Sequence, residues 1–141
     1  DTFDAGVLML WFDEEHWGKL CFERSPAGEV MVVSVVTRGV SDDANGFSVE
    51  GNELWLRVSR VGAMFAYHAS TDGKHWHFVR VFRLEGDGPL KLGFEAQSPV
   101  GDGCDVERPA AGLGAELIPL GCGDGHATSE PFDGFLEVQG I

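Results

Sequence analysis

Short apolar runs separated by turn-forming residues recur along almost the whole chain. Within each run apolar and polar side chains tend to alternate, which is the period of a β-strand, and no segment carries a sustained 3.6-residue apolar period between helix caps. A spacing of about 8–12 residues between runs is typical of a sandwich or barrel. The pattern therefore predicts an all-β protein, a sandwich of two antiparallel sheets. The predicted strands read GVLMLWF, WGKLCFE, EVMVVSVVT, ELWLRVS, MFAYHAS, WHFVRVF, PLKLGFEAQ and GFLEVQGI.

Glycine content and length support the same architecture. Gly accounts for 20 of the 141 residues, about twice the usual ~7%, because many tight turns need a positive φ. A chain of this length fits one domain. We therefore expect a single domain over residues 1–141, with a Gly/Pro/Ala-rich excursion at 107–131 whose structure the pattern does not specify.

Pairing the first hairpins predicts which side chains share a face of the sheet, because side chains alternate along a strand. With Glu14 and Glu15 as the loop, Phe12 faces Trp17, and the next turn places Ser34 beside Lys19. One face is then uniformly apolar and is predicted to be core: Val7, Met9, Trp11, Leu20, Phe22, Met31, Val33 and Val35. The opposite face carries Trp17, Lys19, Cys21, Glu23, Ser34 and Arg38.

Two later strand groups divide in the same way. A hairpin turning at Val61-Gly62 pairs Val58 with Phe65 and leaves Trp55 and Arg57 on the side away from the core. The run that follows separates Leu90, Leu92, Phe94 and Ala96 from Lys91, Gly93, Glu95 and Gln97. Aromatic rings beside planar polar groups suit sugars, whose apolar C–H faces stack on the ring while their hydroxyls are hydrogen-bonded.

Four stretches, in this order and spacing, resemble an uncharacterised family of concanavalin A-like proteins: FDAGVLMLWFDEEHWGKLCFE, VVSVVTRGVSDD, LWLRVSRVGAMFAYHASTDGKHWHFVR and LGFEAQSPVGDGCDV. This domain-of-unknown-function family is often labelled "regulation of enolase". The resemblance runs from about Phe3 to Val106. It implies a jelly-roll sandwich of the lectin/glucanase type and a connection with carbohydrate, without an established reaction.

Members of that family usually carry an N-terminal segment before the stretch that matches DTFDAG. The resemblance therefore implies a sandwich that is incomplete at its N-terminus, with an exposed sheet edge where those strands would lie. The tail from Glu107 has no counterpart in the family pattern. We expect its last run, FDGFLEVQGI, to supply the closing strand.

Charge and cysteine content exclude several classes of function. The net charge of −13 and a pI near 4.5 repel nucleic acid and anionic membranes. No apolar run approaches the ~20 residues that span a bilayer, so no nucleic-acid or membrane partner is expected. Three widely spaced cysteines, Cys21, Cys104 and Cys122, favour a reducing cytoplasm over a disulfide framework, with a Cys104–Cys122 bridge left open.

The constellations that resemble active or metal sites have structural alternatives. The acidic segment Asp13–His16 is typical of a solvated hairpin turn, because consecutive carboxylates splay apart. The stretch STDGKHWHF predicts a tight turn at Asp72-Gly73 with Trp76 packed back over it. The histidines are scattered and the acidic loops match no calcium pattern, so no metal and no cofactor is predicted.

Together these features favour a sandwich whose concave sheet face binds a saccharide or sugar-like small molecule, with binding favoured over catalysis. One alternative is a glycoside hydrolase that uses Glu23 and Glu95 as acid and base. A second is a protein-interaction module, including a homo-oligomer, that pairs through an open sheet edge. The predicted ligand-binding residues are Trp17, Lys19, Glu23, Ser34, Arg38, Glu95, Gln97, Trp55 and Arg57.

Overall fold

The alternating runs form strands in a computed structural model, which describes residues 1–106, 113–114 and 134–138. This part of the chain contains no helix. Of the excursion predicted at 107–131, all but residues 113–114 lies outside the described residues. The strands are β1 (Ala5–Asp13), β2 (His16–Arg24), β3 (Val30–Arg38), β4 (Val40–Ser48), β5 (Trp55–Val61), β6 (Met64–Ser70), β7 (His77–Arg83), β8 (Lys91–Gln97), β9 (Leu113–Gly114) and β10 (Gly134–Val138).

The strands form two antiparallel sheets that pack as a sandwich. The first sheet has the order β4-β3-β2-β1-β8 and the second the order β7-β6-β5-β10-β9. Hairpins build most of each sheet, while β8 pairs with β1 and β10 pairs with β5 across long sequence separations. The predicted all-β sandwich is confirmed, and the arrangement is consistent with a jelly roll. The last apolar run does pair into the second sheet, as expected.

The main core lies between the sheets and is built from one alternate set of side chains in each strand. Tyr67 is the largest fully buried side chain, and its ring packs on Phe82 with the centroids 4.7 Å apart. The buried members are Leu8, Leu10, Leu20, Phe22, Val32, Val36, Val49, Leu54, Leu56, Val58, Phe65, Tyr67, Ala69, Phe82 and Leu84.

The register of the first sheet differs by one residue from the predicted one. The pairing shifts between Trp11 and Asp13, so that Trp11 and not Phe12 faces Trp17. The loop between β2 and β3 occupies residues 25–29, which places Lys19 opposite Val35. A slip of one residue exchanges the two faces of a strand. The predicted shared face was therefore partly wrong: Leu20 and Phe22 lie between the sheets, whereas Val7, Met9, Trp11, Met31, Val33 and Val35 belong to the other face. Val7, Val33 and Val35 are nevertheless buried, and the first two form a second apolar cluster on that face with Ala5 and Cys21.

In the second sheet the β5–β6 hairpin turns at Gly62-Ala63, one residue later than predicted. Gly62 has a φ of 57°, a conformation that glycine adopts without steric cost. Val58 consequently faces Tyr67 and not Phe65. Because this shift is of two residues, each side chain keeps its predicted face.

Two arginines connect the two sheets along one side of the sandwich. Arg80 in β7 donates to the carboxylate of Asp42 in β4 at 2.7 Å and to its carbonyl at 3.1 Å. Arg38 in β3 donates to the carbonyl of Arg83 at 3.0 Å. These contacts close one side of the sandwich with charged groups.

Candidate functional site

The side of the first sheet turned away from the core, which we call the outer face, gathers five of the predicted ligand-binding residues. These are Trp17, Lys19, Glu23, Glu95 and Gln97. Backbone pairing arranges the face in four cross-strand rows. The rows are Lys91–Trp11–Trp17–Thr37–Ser41, Gly93–Met9–Lys19–Val35–Asp43, Glu95–Val7–Cys21–Val33–Asn45 and Gln97–Ala5–Glu23–Met31.

Trp11 and Trp17 are direct cross-strand partners at the end of the outer face next to the β1–β2 loop. Both side chains are half-buried. Within the described part of the chain, neither indole contacts another aromatic ring. The sequence pairing missed Trp11 by assigning it to the core, because it did not allow for the irregularity at Phe12.

Asp13, the last residue of β1, is the residue that could have indicated this irregularity. Asp13 accepts hydrogen bonds from the backbone of Glu15 at 2.9 Å and from His16 Nδ1 at 2.8 Å, and it also binds the amide of Asp87. Burial acts to raise the pKa of Asp13, but the bonds from His16, Glu15 and Asp87 outweigh it and lower the pKa. An Asp that closes its own turn is a common local motif, and the acidic segment is a hairpin turn, as predicted.

The Lys19 side chain crosses the outer face, and its ammonium group lies close to Gln97 and Trp17. Its Nζ donates to Gln97 Oε1 at 2.6 Å and lies 5.5 Å from the centroid of the Trp17 ring. Lys19 and Gln97 occupy rows on either side of the row that contains Val7 and Cys21. Both of those side chains are fully buried.

Three carboxylates, of Glu23, Glu95 and Asp43, surround Cys21. Burial raises the pKa of Cys21 to about 12, with Lys19 opposing the rise and the three carboxylates adding to it. Burial also raises the pKa of Glu23; Lys19 acts against this rise and Asp43 with it. None of the three carboxylates forms a hydrogen bond or ion pair with another described residue. Because its pKa is raised and its side chain is fully buried, the Cys21 thiol is protonated and inaccessible at neutral pH, which does not suit a nucleophile.

Ser34 and Arg38 do not lie on the outer face, which corrects their predicted placement. Ser34 pairs with Leu20 and is fully buried on the core side, where its Oγ is 3.5 Å from the carbonyl oxygen of Ala44. Arg38 belongs to the same core-side set and extends toward β7. The cause is the one-residue register difference between β2 and β3.

Trp55 and Arg57 lie on the second sheet and are not brought together with the other candidates. The guanidinium carbon of Arg57 is 3.5 Å from the centroid of the Trp76 ring. Trp55, in turn, packs on Gly73, where a Cβ would come within 3.1 Å of the indole nitrogen. The predicted packing of Trp76 over the Asp72-Gly73 turn stays a prediction, while Trp55 is the aromatic side chain found against Gly73.

Two of the three cysteines, Cys21 and Cys104, lie within the described residues. Cys104 is a free thiol that lies 3.2 Å from the carbonyl oxygen of Gln97, while Cys122, its proposed partner, is outside the described residues. Among the described positions, no group of three or more His, Cys, Asp or Glu side chains is placed to hold a metal ion. The same part of the chain contains no helix that could cross a bilayer.

Comparison with known proteins gives a family and a related fold. A family model described as "Protein of unknown function (DUF1349)" matches residues 1–110. A crystal structure of a functionally unknown protein from Saccharomyces cerevisiae is 30% identical, with a TM-score of 0.62 over 70% of this chain and 54% of that one. The chain thus spans about half the length of that protein. No curated protein matches the chain. Since the family model covers well over half of the sequence, the chain belongs to the protein family of unknown function DUF1349.

Proposed function

We propose that the outer face of the first sheet binds a saccharide or a sugar-like small molecule without transforming it. The observation that carries this proposal is the pairing of Trp11 with Trp17 at one end of the outer face, which also carries the polar side chains of Lys19, Glu23, Glu95 and Gln97. A pyranose ring stacks its C–H face on an indole, and its hydroxyls need acceptors and donors close by. The outer face offers both within one surface.

Each polar side chain has a role in this proposal. Glu23 and Glu95 accept hydrogen bonds from sugar hydroxyls, since a carboxylate is an acceptor at both oxygens. Lys19, in the row next to the indoles, and Gln97, in the last row, are already joined at 2.6 Å and supply donors. The finer fold class, a concanavalin A-like jelly roll, belongs to the same proposal. The label "regulation of enolase" adds no residue-level expectation and is not part of it.

The spacing of the two glutamates favours binding over hydrolysis. Glu95 and Glu23 are separated by two strand spacings and two residues along the sheet, which corresponds to about 12 Å between Cα atoms. Retaining glycosidases hold their carboxyl groups ~5–5.5 Å apart and inverting ones ~6.5–9.5 Å apart. Both side chains would have to lean toward each other to reach either distance.

A glycan array read with wild type, Trp17→Ala and Trp55→Ala tests the proposal. Trp55→Ala is the matched control because it removes an indole from the opposite sheet. We expect Trp17→Ala to weaken binding at least about tenfold and Trp55→Ala to leave it unchanged, with circular dichroism confirming that both variants fold. Absence of any saccharide binding at millimolar concentration would reject the proposal, as would equal losses in the two variants.

The same samples separate binding from the alternatives. Mass spectrometry of each bound glycan after prolonged incubation detects hydrolysis, and any product abolished by Glu23→Gln or Glu95→Gln would establish the glycosidase instead. The edges available for the interaction module are β4 and β8 in the first sheet and β7 and β9 in the second. Sedimentation across a range of protein concentrations tests it, and a monomer throughout would count against pairing through an edge.

A further inference from the structure

The cations of the outer face are poorly placed to receive an acidic sugar. Lys19 is engaged with Gln97 and lies over Trp17, so an acidic group would have to displace an existing bond. Arg38, predicted to share the face, points to the core side and binds the carbonyl of Arg83. Lys91, across from Trp11 at the edge strand, is the other cation of the four rows, and it is exposed.

The carboxylates of the outer face, by contrast, form no hydrogen bond or ion pair within the described part of the chain. Glu23, Glu95 and Asp43 lie in three different rows and bind no other described residue. Glu23 is half-buried between Ala5 and Met31, so a ligand that covers it has to supply a donor to its carboxylate.

The three carboxylates alone would be an ordinary solvated acidic surface. What distinguishes this one is the indole pair on the same face, because the face of an indole attracts cations as well as C–H groups. The position of Lys19 Nζ, 5.5 Å from the Trp17 ring centroid, shows that a positive charge is accommodated beside this ring.

We propose that the outer face selects saccharides that carry a protonated amine, such as deacetylated hexosamine oligomers, and rejects those that carry a carboxylate. This inference rests on the proposed saccharide binding and names its ligand class. The sugar ring stacks on Trp11 or Trp17, and the ammonium group binds among the carboxylates, with Glu23 as the residue that determines the preference. Trp17 and Glu23 are six residues apart along β2, a separation of about 20 Å. A ligand that contacts both must therefore be an oligosaccharide of more than one ring.

Calorimetric titration with four matched β-1,4-linked tetrasaccharides tests the inference: glucosamine, N-acetylglucosamine, glucose and glucuronate. At mildly acidic pH and moderate salt we expect the amine series to bind about tenfold more tightly than the neutral ones, and the uronate to bind most weakly. Because the whole chain carries a net charge of −13, general attraction of a cation has to be separated from recognition at the face.

The variants Glu23→Gln and Glu53→Gln provide that separation. Both remove one negative charge, but Glu53 precedes β5 in an exposed loop and belongs to none of the four rows. We expect Glu23→Gln to abolish most of the preference for the amine over the neutral sugar, and Glu53→Gln to retain it.

Equal effects of the two substitutions would overturn the inference, as would a preference of the wild type for neutral or acidic tetrasaccharides. Either result, with binding intact, would leave the proposed function standing. Failure of all four sugars to bind, together with a blank glycan array, would overturn both.

Discussion

Gly18 lies where the side chain of Tyr67 reaches from the second sheet to the first. A Cβ at this position would come within 2.7 Å of the Tyr67 hydroxyl oxygen, so a larger residue cannot occupy it without movement of the ring. The hydroxyl is buried and has no hydrogen-bond partner among the described residues. Burial raises the pKa of Tyr67 well above its usual value, which keeps the group neutral in the core.

Gly18→Ala is therefore expected to destabilise the fold by about 1–3 kcal/mol, the usual cost of overpacking a core. Tyr67→Phe alone should be close to neutral, because removing an unsatisfied hydroxyl loses no hydrogen bond. In the double variant the missing oxygen makes room for the new methyl group, so most of the loss should be recovered. Urea unfolding of the four proteins measures the cycle, and strict additivity would contradict the contact.

Cys21 and Cys104 should differ sharply in reactivity. With the pKa of Cys21 near 12, only about 10⁻⁴ of it is thiolate at pH 8, and thiolate is the reactive form. In a Cys122→Ser background we expect iodoacetamide to label half-buried Cys104 and to spare Cys21 in the native state, with both labelled in urea. Mass spectrometry of the peptides gives the result, and rapid native labelling of Cys21 would show that the outer face opens.

Among the elements, the turn after β6 shows how a short sequence motif determines its own geometry. Asp72 accepts hydrogen bonds from the amides of Lys74 and His75 and from His75 Nδ1, the last at 2.7 Å. The hydrogen bond from the His75 side chain, followed by those from the two amides, lowers the pKa of Asp72. The same side-chain bond raises the pKa of His75.

The stability that this turn contributes should decrease at low pH, where Asp72 becomes protonated, and again at high pH, where His75 loses its proton. The Asp72 contribution is present above its unfolded pKa of about 3.9 and is lost as the pH falls toward the lowered folded value. The His75 contribution is complete below its unfolded pKa of about 6.5 and is lost as the pH rises through the raised folded value.

We therefore expect the melting temperatures of wild type and His75→Ala to differ most between about pH 4 and 6.5 and to converge above neutral pH. The difference should be small, because both groups are exposed and screened by solvent. Differential scanning calorimetry across this range provides the measurement. A difference that grows above neutral pH would contradict the assigned direction of the His75 shift.

At the scale of the whole molecule, Arg80 and Asp42 connect the two sheets at their edges. The Arg80 side chain is mostly buried, while that of Asp42 is 57% exposed, so the pair should contribute only about 0.2–1 kcal/mol of coupling. A double-mutant cycle with Arg80→Gln and Asp42→Asn, read by urea unfolding, measures this coupling energy.

The pair Arg83–Glu85, at 2.7 Å and exposed on both sides, is the matched control for that cycle. It joins two residues of one segment and holds no sheets together, so its coupling should be smaller. High salt should weaken both couplings. A coupling for Arg80–Asp42 no larger than that for Arg83–Glu85 would contradict the expectation that joining the two sheets strengthens the pair.

Most of the strands were predictable, because alternation and turn residues are local signals. The split of β8 into an apolar set and a Lys91/Glu95 set was also correct, since that strand needs no assumption about a turn. The sequence did not predict which side chains of the other strands make up the outer face. That set depended on loop lengths at residues 13–15 and 25–29, where one additional residue exchanges the faces of a neighbouring strand.

By itself, the sequence determined the all-β class, the positions of eight of the ten described strands and the acidic charge, because each depends on residues within a few positions or on composition alone. It did not predict β4, whose segment VSDDANGFS is mostly polar, or the two-residue β9. Only the tertiary structure decided that Trp11 joins Trp17 and that Ser34 and Arg38 turn to the core side. It also placed Trp55 and Arg57 on the other sheet. The physical reason is that strand pairing is a non-local interaction whose register depends on single residues in the turns.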